Sequence, residues 1–373
     1  MARVSVVGCA SYGQEAVSAA LNEVLKPFGE LEFVKPGAKI VIKANLVTMM
    51  KPESAATTHP ALLKELCRLL VSRGAEVIVG DSPGGLYTPA YVNAVYAATG
   101  MKAVMETGAR LNQNFTHIHA PNPEGLALKE LDYTAYLDEA DAIINFCKLK
   151  THGMMGLSAC VKNMFGCIPG VFKPEYHYKF PEHSDFADML IDINERFRPK
   201  LCIVDAVTAM EGNGPTAGTP RFVGAILASD SPYACDKICA EIIGLSPDNV
   251  ETVAAARRRG LEDEAEISGD YRRFIVKDFK LVRARKDMSF IFDIGLLSSL
   301  TRKALSAYPK VAPSECVGCG KCAQVCPAKA IQMLNKKPHI NRKTCIRCFC
   351  CQEFCPKGAM KLKRPFIARI LNR

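Results

Sequence analysis

Eight cysteines near the carboxyl end of the chain have the spacing of a metal-binding motif. The run CVGCGKCAQVCP contains Cys316, Cys319, Cys322 and Cys326, and the run CIRCFCCQEFCP contains Cys345, Cys348, Cys351 and Cys355. Both runs have the pattern CxxCxxCxxxCP, in which cysteine thiolates hold iron–sulfur clusters. The two runs therefore predict two [4Fe-4S] clusters.

The spacing also predicts how the ligands divide, because the first three thiolates of a run bind one cluster and the fourth reaches the other. We expect one set of Cys316, Cys319, Cys322 and Cys355, and a second set of Cys345, Cys348, Cys351 and Cys326. The segment resembles the bacterial two-cluster ferredoxins. Zinc held by paired CxxC hooks is the alternative, but zinc sites do not require this repeated spacing with its trailing proline.

The rest of the chain is long enough for a second, larger domain. At 373 residues the protein exceeds the roughly 250 to 300 residues at which a single core stops growing. We expect an α/β domain over 1–300, a linker over 301–312, a two-cluster ferredoxin-like domain over 313–363, and a basic tail over 364–373. The hydrophobic share of 49% and the charged share of 23% are ordinary for a globular protein.

Several features favour the cytoplasm. The amino-terminal apolar patch is too short for a signal peptide, and the apolar stretch over 290–300 falls short of a spanning helix. The chain has 17 cysteines, but a disulfide scaffold is typical of small secreted proteins. We therefore expect metal-binding thiolates in the two runs and small core side chains elsewhere.

The positive charge is concentrated at the carboxyl end. From Cys316 to Arg373, Lys and Arg outnumber acidic residues by 13 to one, Glu353, although the net charge of the whole chain is only +10. An acidic electron carrier such as ferredoxin or flavodoxin fits this surface. Anionic lipid, contacted peripherally through the tail, fits as well, whereas nucleic acid is disfavoured because no aromatic residues are interleaved with the basic ones.

The first 300 residues alternate strand-like and helix-like segments. Strands are predicted at 3–8, 38–45, 75–82, 140–149, 200–207 and 221–229, and helices at 15–25, 60–74, 185–197 and 231–244. This alternation indicates an α/β domain with a mainly parallel sheet. Ligands of such domains bind at the carboxyl ends of the strands.

Polar residues follow several of these strands. Lys43 and Asn45 end the second strand, His59 precedes a helix, and Asp81 and Ser82 follow the third strand. Each is a candidate for binding a cofactor or substrate, and His59 for catalysis. Helix capping and ordinary turn chemistry are the alternatives.

The segment 145–170, NFCKLKTHGMMGLSACVKNMFGCIPG, is the richest in such groups. It contains Lys148, Lys150, His152, Lys162 and Asn163 among glycines and methionines. We interpret it as a strand, a Gly-rich loop and a helix amino terminus that binds an anion through backbone N–H groups. It contains neither GxxxxGK[ST] nor GxGxxG, so a P-loop and a dinucleotide site are not supported.

A second Gly-rich loop, MEGNGPTAGTP, adds Glu211 and Asn213 as candidates, and Asp230 and Asp236 flank SPYAC. Helix capping is the alternative for the two aspartates. The motifs NLV, TTHP, GDSPGG, KLKTHGMMGLSACVKNMFGCIPG, AMEGNGP and ASDSPYACDK, in this order, resemble the family called domain of unknown function 362 over roughly residues 1–260. Many members of that family carry a ferredoxin module, but the resemblance implies little about chemistry.

Two functions follow from these features. In the first, a ferredoxin-dependent reductase passes electrons through both clusters to an anionic substrate or cofactor, which Lys148, Lys150 and Lys162 bind and to which His59 or His152 donates a proton. In the second, the chain is a non-catalytic carrier or maturation adaptor for a larger redox enzyme. A further organic or metal cofactor in the α/β domain, for example one held by His59, His152, Glu211 and Asp81, stays open.

Overall fold

The structure, a computed structural model, describes residues 1–29, 31–262, 264–282 and 307–363. The predicted basic tail over 364–373, the first half of the predicted linker (301–306) and the last part of the predicted α/β domain (283–300) lie outside these ranges. Strands β1 to β11 precede residue 283: Ala2–Gly8, Lys39–Lys43, Glu76–Gly80, Arg110–Leu111, His117–Pro121, Glu130–Thr134, Ala142–His152, Gly156–Ser158, Leu201–Glu211, Thr219–Ser229 and Ala265–Ser268.

Helices separate most of these strands. Helices α1 to α8 are Gln14–Leu25, Pro60–Ser72, Pro89–Ala98, Cys160–Asn163, Lys173–Lys179, His183–Phe197, Pro232–Ile242 and Glu251–Arg258. Short 3-10 helices lie at Lys26–Phe28, Pro52–Ser54, Met101–Thr107, Ala135–Glu139, Met164–Cys167, Pro247–Asn249 and Tyr271–Phe274. None of the helices in the described ranges is long and apolar enough to cross a membrane.

The strands form one large sheet in the order β11-β1-β10-β9-β7-β2-β3-β4, with β8 paired to β7. Most of its pairs are parallel, including β7 with β2 and β7 with β9, whereas β10 is antiparallel to both β1 and β9. The predicted α/β class with a mainly parallel sheet is therefore confirmed. The separate hairpin of β5 and β6 lies outside this sheet.

The sheet is covered on both faces, which explains its continuously apolar central strands. In β2, Ile40 and Ile42 pack into the core beneath α1, α2 and α3, while Val41 between them packs on the opposite side with the core that α6 supplies. Because side chains alternate along a strand, both faces need apolar residues. This double coverage leaves the strand ends as the places where polar side chains gather.

The carboxyl-terminal module repeats one unit twice. Its strands β12 to β15 are Tyr308–Val311, Ile331–Leu334, Lys337–Ile340 and Met360–Lys363, and its one-turn helices α9 and α10 are Lys321–Gln324 and Cys350–Glu353. Strand β12 pairs with β15, and β13 pairs with β14. Both helices are preceded by a left-handed residue, Gly320 (φ 74°) and Phe349 (φ 62°). The two cysteine runs therefore share a backbone conformation.

Candidate functional site: a lysine-lined cavity against the cysteine module

The eight cysteines of the two runs line two separate cavities of the module. One cavity is lined by Cys316, Cys319, Cys322 and Cys355, and the other by Cys326, Cys345, Cys348 and Cys351, together with the additional Cys350. The fourth cysteine of each run thus joins the first three of the other run. We call the first group the outer set and the second group the inner set.

The surroundings of these thiols suit an iron–sulfur group. The backbone N–H of Ala330 donates to Cys326 Sγ, and that of Ala359 donates to Cys355 Sγ, both at 3.2 Å. Hydrogen bonds to the sulfurs are one of the means by which a protein sets the potential of a bound cluster. The same bond occurs at the same place in both halves, so the repeat extends to the ligand surroundings.

A third cavity lies where the α/β domain meets the module. Its volume of about 60 Å³ is enough for roughly four or five water-sized groups. It is lined by Lys43, Asn45, Val47, Asp81, Ser82, Gly84, Lys150, His152, Ser158, Lys162, Asn163, Phe165, Gly166, Lys173, Pro215, Glu353 and Phe354. Glu353 and Phe354 belong to the second cysteine run, so the module forms one wall.

Three of the four lysines in this cavity have partners within the protein. Lys43 forms an ion pair with Asp81 Oδ1 at 2.8 Å and donates to Asn163 Oδ1 at 3.0 Å. Lys150 donates to Asn45 Oδ1 at 2.6 Å and to the Ala56 carbonyl at 2.7 Å. Lys173 donates to the carbonyl of Ser82.

The close packing of this network depends on Gly166. A Cβ at this position would clash with both Lys43 Nζ and Asp81 Oδ1. The absence of a side chain at Gly166 therefore makes room for the ion pair, which lies directly beyond the ends of β2 and β3. Asn163 connects this network to β7, since its amide nitrogen donates to Asn145 Oδ1 at 2.7 Å.

Lys162 differs from the other three lysines. It is only 8% exposed, yet within the described ranges its Nζ makes no hydrogen bond and no ion pair. Its Nζ lies over two aromatic rings, with centroids at 4.8 Å for Phe165 and 5.8 Å for Phe186. An ammonium group carries three donors, and rings satisfy them poorly, so Lys162 presents unsatisfied positive charge to the cavity.

Burial makes the amines of this cavity easier to deprotonate. Loss of hydration, reinforced by the charge of Lys162, lowers the pKa of Lys150 to about 7. Burial likewise lowers the pKa of Lys173 to about 7, although the charge of Asp81 opposes it. Burial also lowers the pKa of Lys162, against the attraction of Glu353. The cavity thus holds amines that exchange protons near neutral pH.

His152 joins the α/β domain to the module. Its Nδ1 accepts from the backbone N–H groups of Met154 at 3.2 Å and Met155 at 3.1 Å, so the ring proton sits on Nε2. That nitrogen faces Glu353 Oε1 at 2.9 Å. Burial and the charge of Lys162 lower the pKa of His152, which keeps the imidazole neutral.

Two predicted site residues lie away from the cavity. His59 precedes α2 and accepts from the N–H of Ala61 through Nδ1, while its ring stacks on Tyr12 with centroids 3.6 Å apart. Lys148 forms an ion pair with Asp205 at 2.8 Å and donates to the hydroxyl of Tyr12 at 2.9 Å. Both belong to a buried polar cluster with its own internal partners.

Glu211 and Asn213 also lie outside the cavity. Glu211 accepts from the backbone N–H of Lys280 at 3.0 Å. The carbonyl of Asn213 accepts from Gln352 Nε2 at 2.9 Å, and its side-chain oxygen accepts from the N–H of Leu362 at 3.3 Å. Asn213 therefore holds the module against the α/β domain.

No three His, Cys, Asp or Glu side chains within the described ranges are arranged to hold a single metal ion.

The predicted backbone anion site is not formed. The segment 145–170 folds into β7, a hairpin with β8, and the four-residue helix α4. Asp236 occupies the amino terminus of α4, accepting from the N–H of Cys160 at 2.6 Å and of Val161 at 3.2 Å. The expectation of anion binding through these N–H groups was wrong because an internal carboxylate already uses them. The capping alternative for Asp236 is correct, but the capped helix is α4.

Sequence reasoning missed two charged residues of the cavity. Lys173 lies in a stretch without a recognisable motif, and only folding brings it to Ser82. Glu353 carried a signal, because it is the one acidic residue between Cys316 and Arg373. A single acidic residue in a strongly basic module is expected to pair with another residue of the protein. In the structure that residue is His152.

Comparisons with known proteins agree with this arrangement. The family described as "Domain of unknown function (DUF362)" matches residues 40–241, and the family described as "4Fe-4S dicluster domain" matches residues 308–356. The thylakoid-associated protein sll1697 of Synechocystis sp. is 32% identical over 272 residues, which cover 70% of this chain and 81% of the relative.

Two solved structures are distantly similar. The lactate racemase apoprotein from Thermoanaerobacterium thermosaccharolyticum has a TM-score of 0.39 at 14% identity and covers 64% of this chain. A protein from Thermotoga maritima has a TM-score of 0.36, also at 14% identity, and covers 58%. The chain spans 56% and 55% of the lengths of these two structures.

Proposed function

We propose that this chain, which belongs to the DUF362 family and carries a carboxyl-terminal 4Fe-4S dicluster domain, is a reductase that delivers electrons to a small anion. The anion binds in the cavity between the α/β domain and the second cysteine run. The dicluster domain makes the protein an iron–sulfur electron-transfer protein. The acceptor and its place in the cavity are the proposed part.

We assign the outer set, Cys316, Cys319, Cys322 and Cys355, to one [4Fe-4S] cluster and the inner set, Cys326, Cys345, Cys348 and Cys351, to the other. The cavities that each set lines and the N–H donors to Cys326 and Cys355 support this division. When bound, the clusters supply single electrons at low potential. The protein contributes the route of access and the binding of the acceptor.

One observation carries the proposal. Among the residues that the structure describes, the buried amine of Lys162 has no hydrogen-bond or ion-pair partner, and it lines a cavity whose wall includes Glu353 and Phe354 of the second cysteine run. A buried charge without a partner is costly, and a bound anion removes that cost. The anion would then lie beside Glu353 and Phe354, and Phe354 packs against the inner ligand Cys348. Electron delivery needs such closeness between the acceptor and a cluster site.

The lysines also suit the change in charge. Adding an electron to an anion increases its negative charge, and Lys162 together with Lys150 would offset that increase. We assign proton delivery to these ammonium groups. Nδ1 of His152 accepts two backbone N–H groups, its Nε2 lies 2.9 Å from Glu353 Oε1, and His59 lies outside the cavity.

The test begins with protein purified without oxygen. Iron content and mass spectrometry of the molecules released on denaturation would be compared for the wild type, Lys162→Met and Lys357→Met. Lys357 is an exposed lysine beside the outer set, so its variant is the matched control. We expect all three proteins to hold the same iron, and Lys162→Met to lose an anionic molecule that the other two retain.

If the wild type releases no such molecule, small carboxylates and oxoanions would be tested as acceptors by mixing them with the reduced protein. We expect at least one to oxidise the wild type and the Lys357→Met protein more than tenfold faster than the Lys162→Met protein, since removing one electrostatic contact at a reacting group slows reactions by roughly a hundred- to a thousandfold. Equal rates in all three would contradict the cavity proposal and favour the carrier or adaptor function.

We also propose the cytoplasm as the compartment. Thiolate-held clusters suit a reducing environment. The relative from Synechocystis sp. is described as thylakoid-associated, so the competing proposal is that this chain associates with a membrane surface. Flotation of the purified protein with anionic vesicles would separate the two.

A further inference from the structure

The first cysteine run has a solvent-exposed face. Val317 is 61% exposed, although it lies between two ligands of the outer set, and Cys319 is itself an exposed cysteine. The corresponding residues of the second run are less exposed, since Ile346 is half-buried and Cys348 is buried. The outer set is therefore the one that another protein can approach closely.

Lysines surround this exposed position. Lys321 and Lys357 line the same cavity as Cys316 and Cys319. Lys357 is exposed, whereas Lys321 is half-buried and its Nζ lies 5.5 Å from the ring centroid of Tyr91 in the α/β domain. Lys336 lies at the tip of the hairpin of β13 and β14, and its carbonyl packs against Gly318 of the run. In the part of the chain that the structure describes, none of these three side chains forms an ion pair.

The acidic residues of the module do not neutralise this face. Glu315 forms an ion pair with Lys361 at 2.8 Å, and Glu353 is turned toward His152 at the boundary with the α/β domain. The charge that the module presents to solvent around the first run is therefore positive. An exposed apolar residue at the centre of a positively charged rim is the composition of a transient docking surface.

We propose that the outer face, defined as Val317, Cys319, Lys321, Lys336 and Lys357, docks an acidic electron-carrier protein whose one-electron centre lies at its own surface. The carrier loses one electron and the outer [4Fe-4S] group gains it, with no bond made or broken and no proton transferred. Electron transfer requires close approach, which exposed Cys319 permits. The lysines would steer the negatively charged carrier to this position and speed its association.

An acidic protein fits this face better than the other polyanions. Surfaces that bind single-stranded nucleic acid carry aromatic side chains on which the bases stack, and the outer face contains no aromatic residue. A lipid surface would engage several apolar side chains at once, whereas Val317 is the single apolar member of the outer face. A docking carrier needs only one small apolar contact within a charged rim.

The experiment measures how fast a reduced flavodoxin or acidic two-iron ferredoxin reduces the oxidised holoprotein in a stopped-flow instrument. The variant is Lys336→Glu/Lys357→Glu, which reverses charge at two positions that are not cysteine ligands. The matched control is Lys102→Glu/Lys129→Glu, which makes the same change at two exposed lysines of the α/β domain. Photoreduced deazaflavin, a small reductant that does not need the docking surface, is run in parallel.

At low ionic strength we expect the carrier to reduce the outer-face variant roughly tenfold more slowly than the wild type and the control variant. Added salt should remove most of this difference, and the deazaflavin rates should be equal in all three proteins. Equal carrier rates in all three at low salt would overturn the proposal. A second result would also overturn it: the wild type binds anionic vesicles, the outer-face variant does not, and the carrier reduces both at the same rate. That result would assign the face to lipid.

This inference depends on the electron-transfer part of the proposed function and not on the cavity. The two fail in different ways. Failure of deazaflavin to reduce the wild-type holoprotein would contradict the redox function itself. Normal deazaflavin reduction with no effect of charge reversal would contradict only the docking surface.

Discussion

The two cysteine runs have the same spacing and the same backbone conformation but different surroundings. In the first run, Val317 and Cys319 face solvent. In the second run, Phe349 is 4% exposed and Cys350 is fully buried against the rest of the protein. The repeat thus fixes how the thiols are held, while the side chains between them decide which cluster site faces solvent and which faces the cavity.

Equivalent positions show how this difference is built. Gly320 and Phe349 have the same left-handed conformation, but only Phe349 has a side chain to pack into the core of the α/β domain. Gln324 is exposed, whereas its counterpart Glu353 faces His152. An electron that enters at the exposed set and leaves at the buried set would travel toward the cavity, which is the direction that the proposed function requires.

The largest expected effect comes from removing one ligand from each set. We expect Cys319→Ala and Cys348→Ala each to lose about half of the iron, because each removes a ligand of one of two clusters. Cys348→Ala should also destabilise the α/β domain by on the order of 4 kcal/mol, as losses of metal sites do. The reason is that Cys348 is buried beside Phe354, which contacts the domain near Gly84.

Iron analysis and thermal unfolding followed by circular dichroism would measure both effects. In Cys319→Ala the α/β domain should unfold close to the wild-type temperature. If the two variants lowered the unfolding temperature equally, the inner set would have no special link to the domain, and the proposed asymmetry would be incorrect.

The second prediction concerns Phe349 and Gly320. Phe349→Ala keeps the backbone conformation but removes a ring that packs near Gly153 and Leu362, so we expect a loss of about 3 kcal/mol in the free energy of unfolding. Gly320→Ala should cost only about 1 to 2 kcal/mol, the penalty for a side chain in a left-handed conformation, since its surroundings are open.

Urea denaturation of the holoproteins would give both values. The comparison is informative because the two changes place alanine at the same position of the repeat. A larger loss at Gly320 than at Phe349 would show that backbone strain, and not packing against the domain, controls the stability of the module.

The third prediction makes the second run resemble the first at one position. Gln352 is fully buried and donates to the carbonyls of Asn213 and Gly214 at 2.9 and 3.3 Å, whereas its counterpart in the first run is Ala323. Gln352→Ala should cost about 1 to 3 kcal/mol, because the buried carbonyl of Gly214 and the part-buried carbonyl of Asn213 lose their donor.

The control for this change is Gln324→Ala, which truncates an exposed glutamine in the first run and should alter the free energy of unfolding by less than about 0.5 kcal/mol. Urea denaturation again provides the measurement. If Gln352→Ala were as neutral as the control, the hydrogen bonds from Gln352 would not hold the module in place.

Sequence reasoning reached the parts of this architecture that depend on local pattern. Apolar runs such as Lys39–Lys43 and Glu76–Gly80 form the predicted strands because a doubly covered sheet demands them. The candidates Lys43, Asn45, Asp81 and Ser82 meet at the cavity because neighbouring parallel strands end at the same edge. Lys150, His152, Lys162 and Asn163 reach it from β7 and α4.

The rest depends on contacts between distant segments, which no local pattern encodes. His59 satisfies every pattern of a functional residue, yet its ring caps α2 and stacks on Tyr12. The contact of His152 with Glu353 exists only because Gln352 and Phe349 dock the module on the α/β domain. Such tertiary pairings follow from packing, so the contribution of the module to the wall of the cavity could not be predicted from motifs.

The last prediction compares a buried lysine of the cavity with an exposed lysine of the outer face. Burial lowers the pKa of Lys150 to about 7, whereas an unfolded lysine titrates near 10.4. Between these values the unfolded chain binds one more proton than the folded chain, so the free energy of unfolding rises with pH, by up to about 1.4 kcal/mol per unit. The charges of Lys162, Lys43, Asp81 and Glu353 all act on Lys150.

Lys150→Met removes this contribution, so its free energy of unfolding should rise less steeply than that of the wild type between about pH 7.5 and 9.5. Lys357→Met should leave the slope unchanged, because the exposed Lys357 is solvated in both the folded and the unfolded state. Urea denaturation across this pH range would test both. An unchanged slope in Lys150→Met would mean that the buried amine stays protonated throughout. The buried lysines of the cavity and the exposed lysines of the outer face would then differ in access to ligands and not in proton exchange.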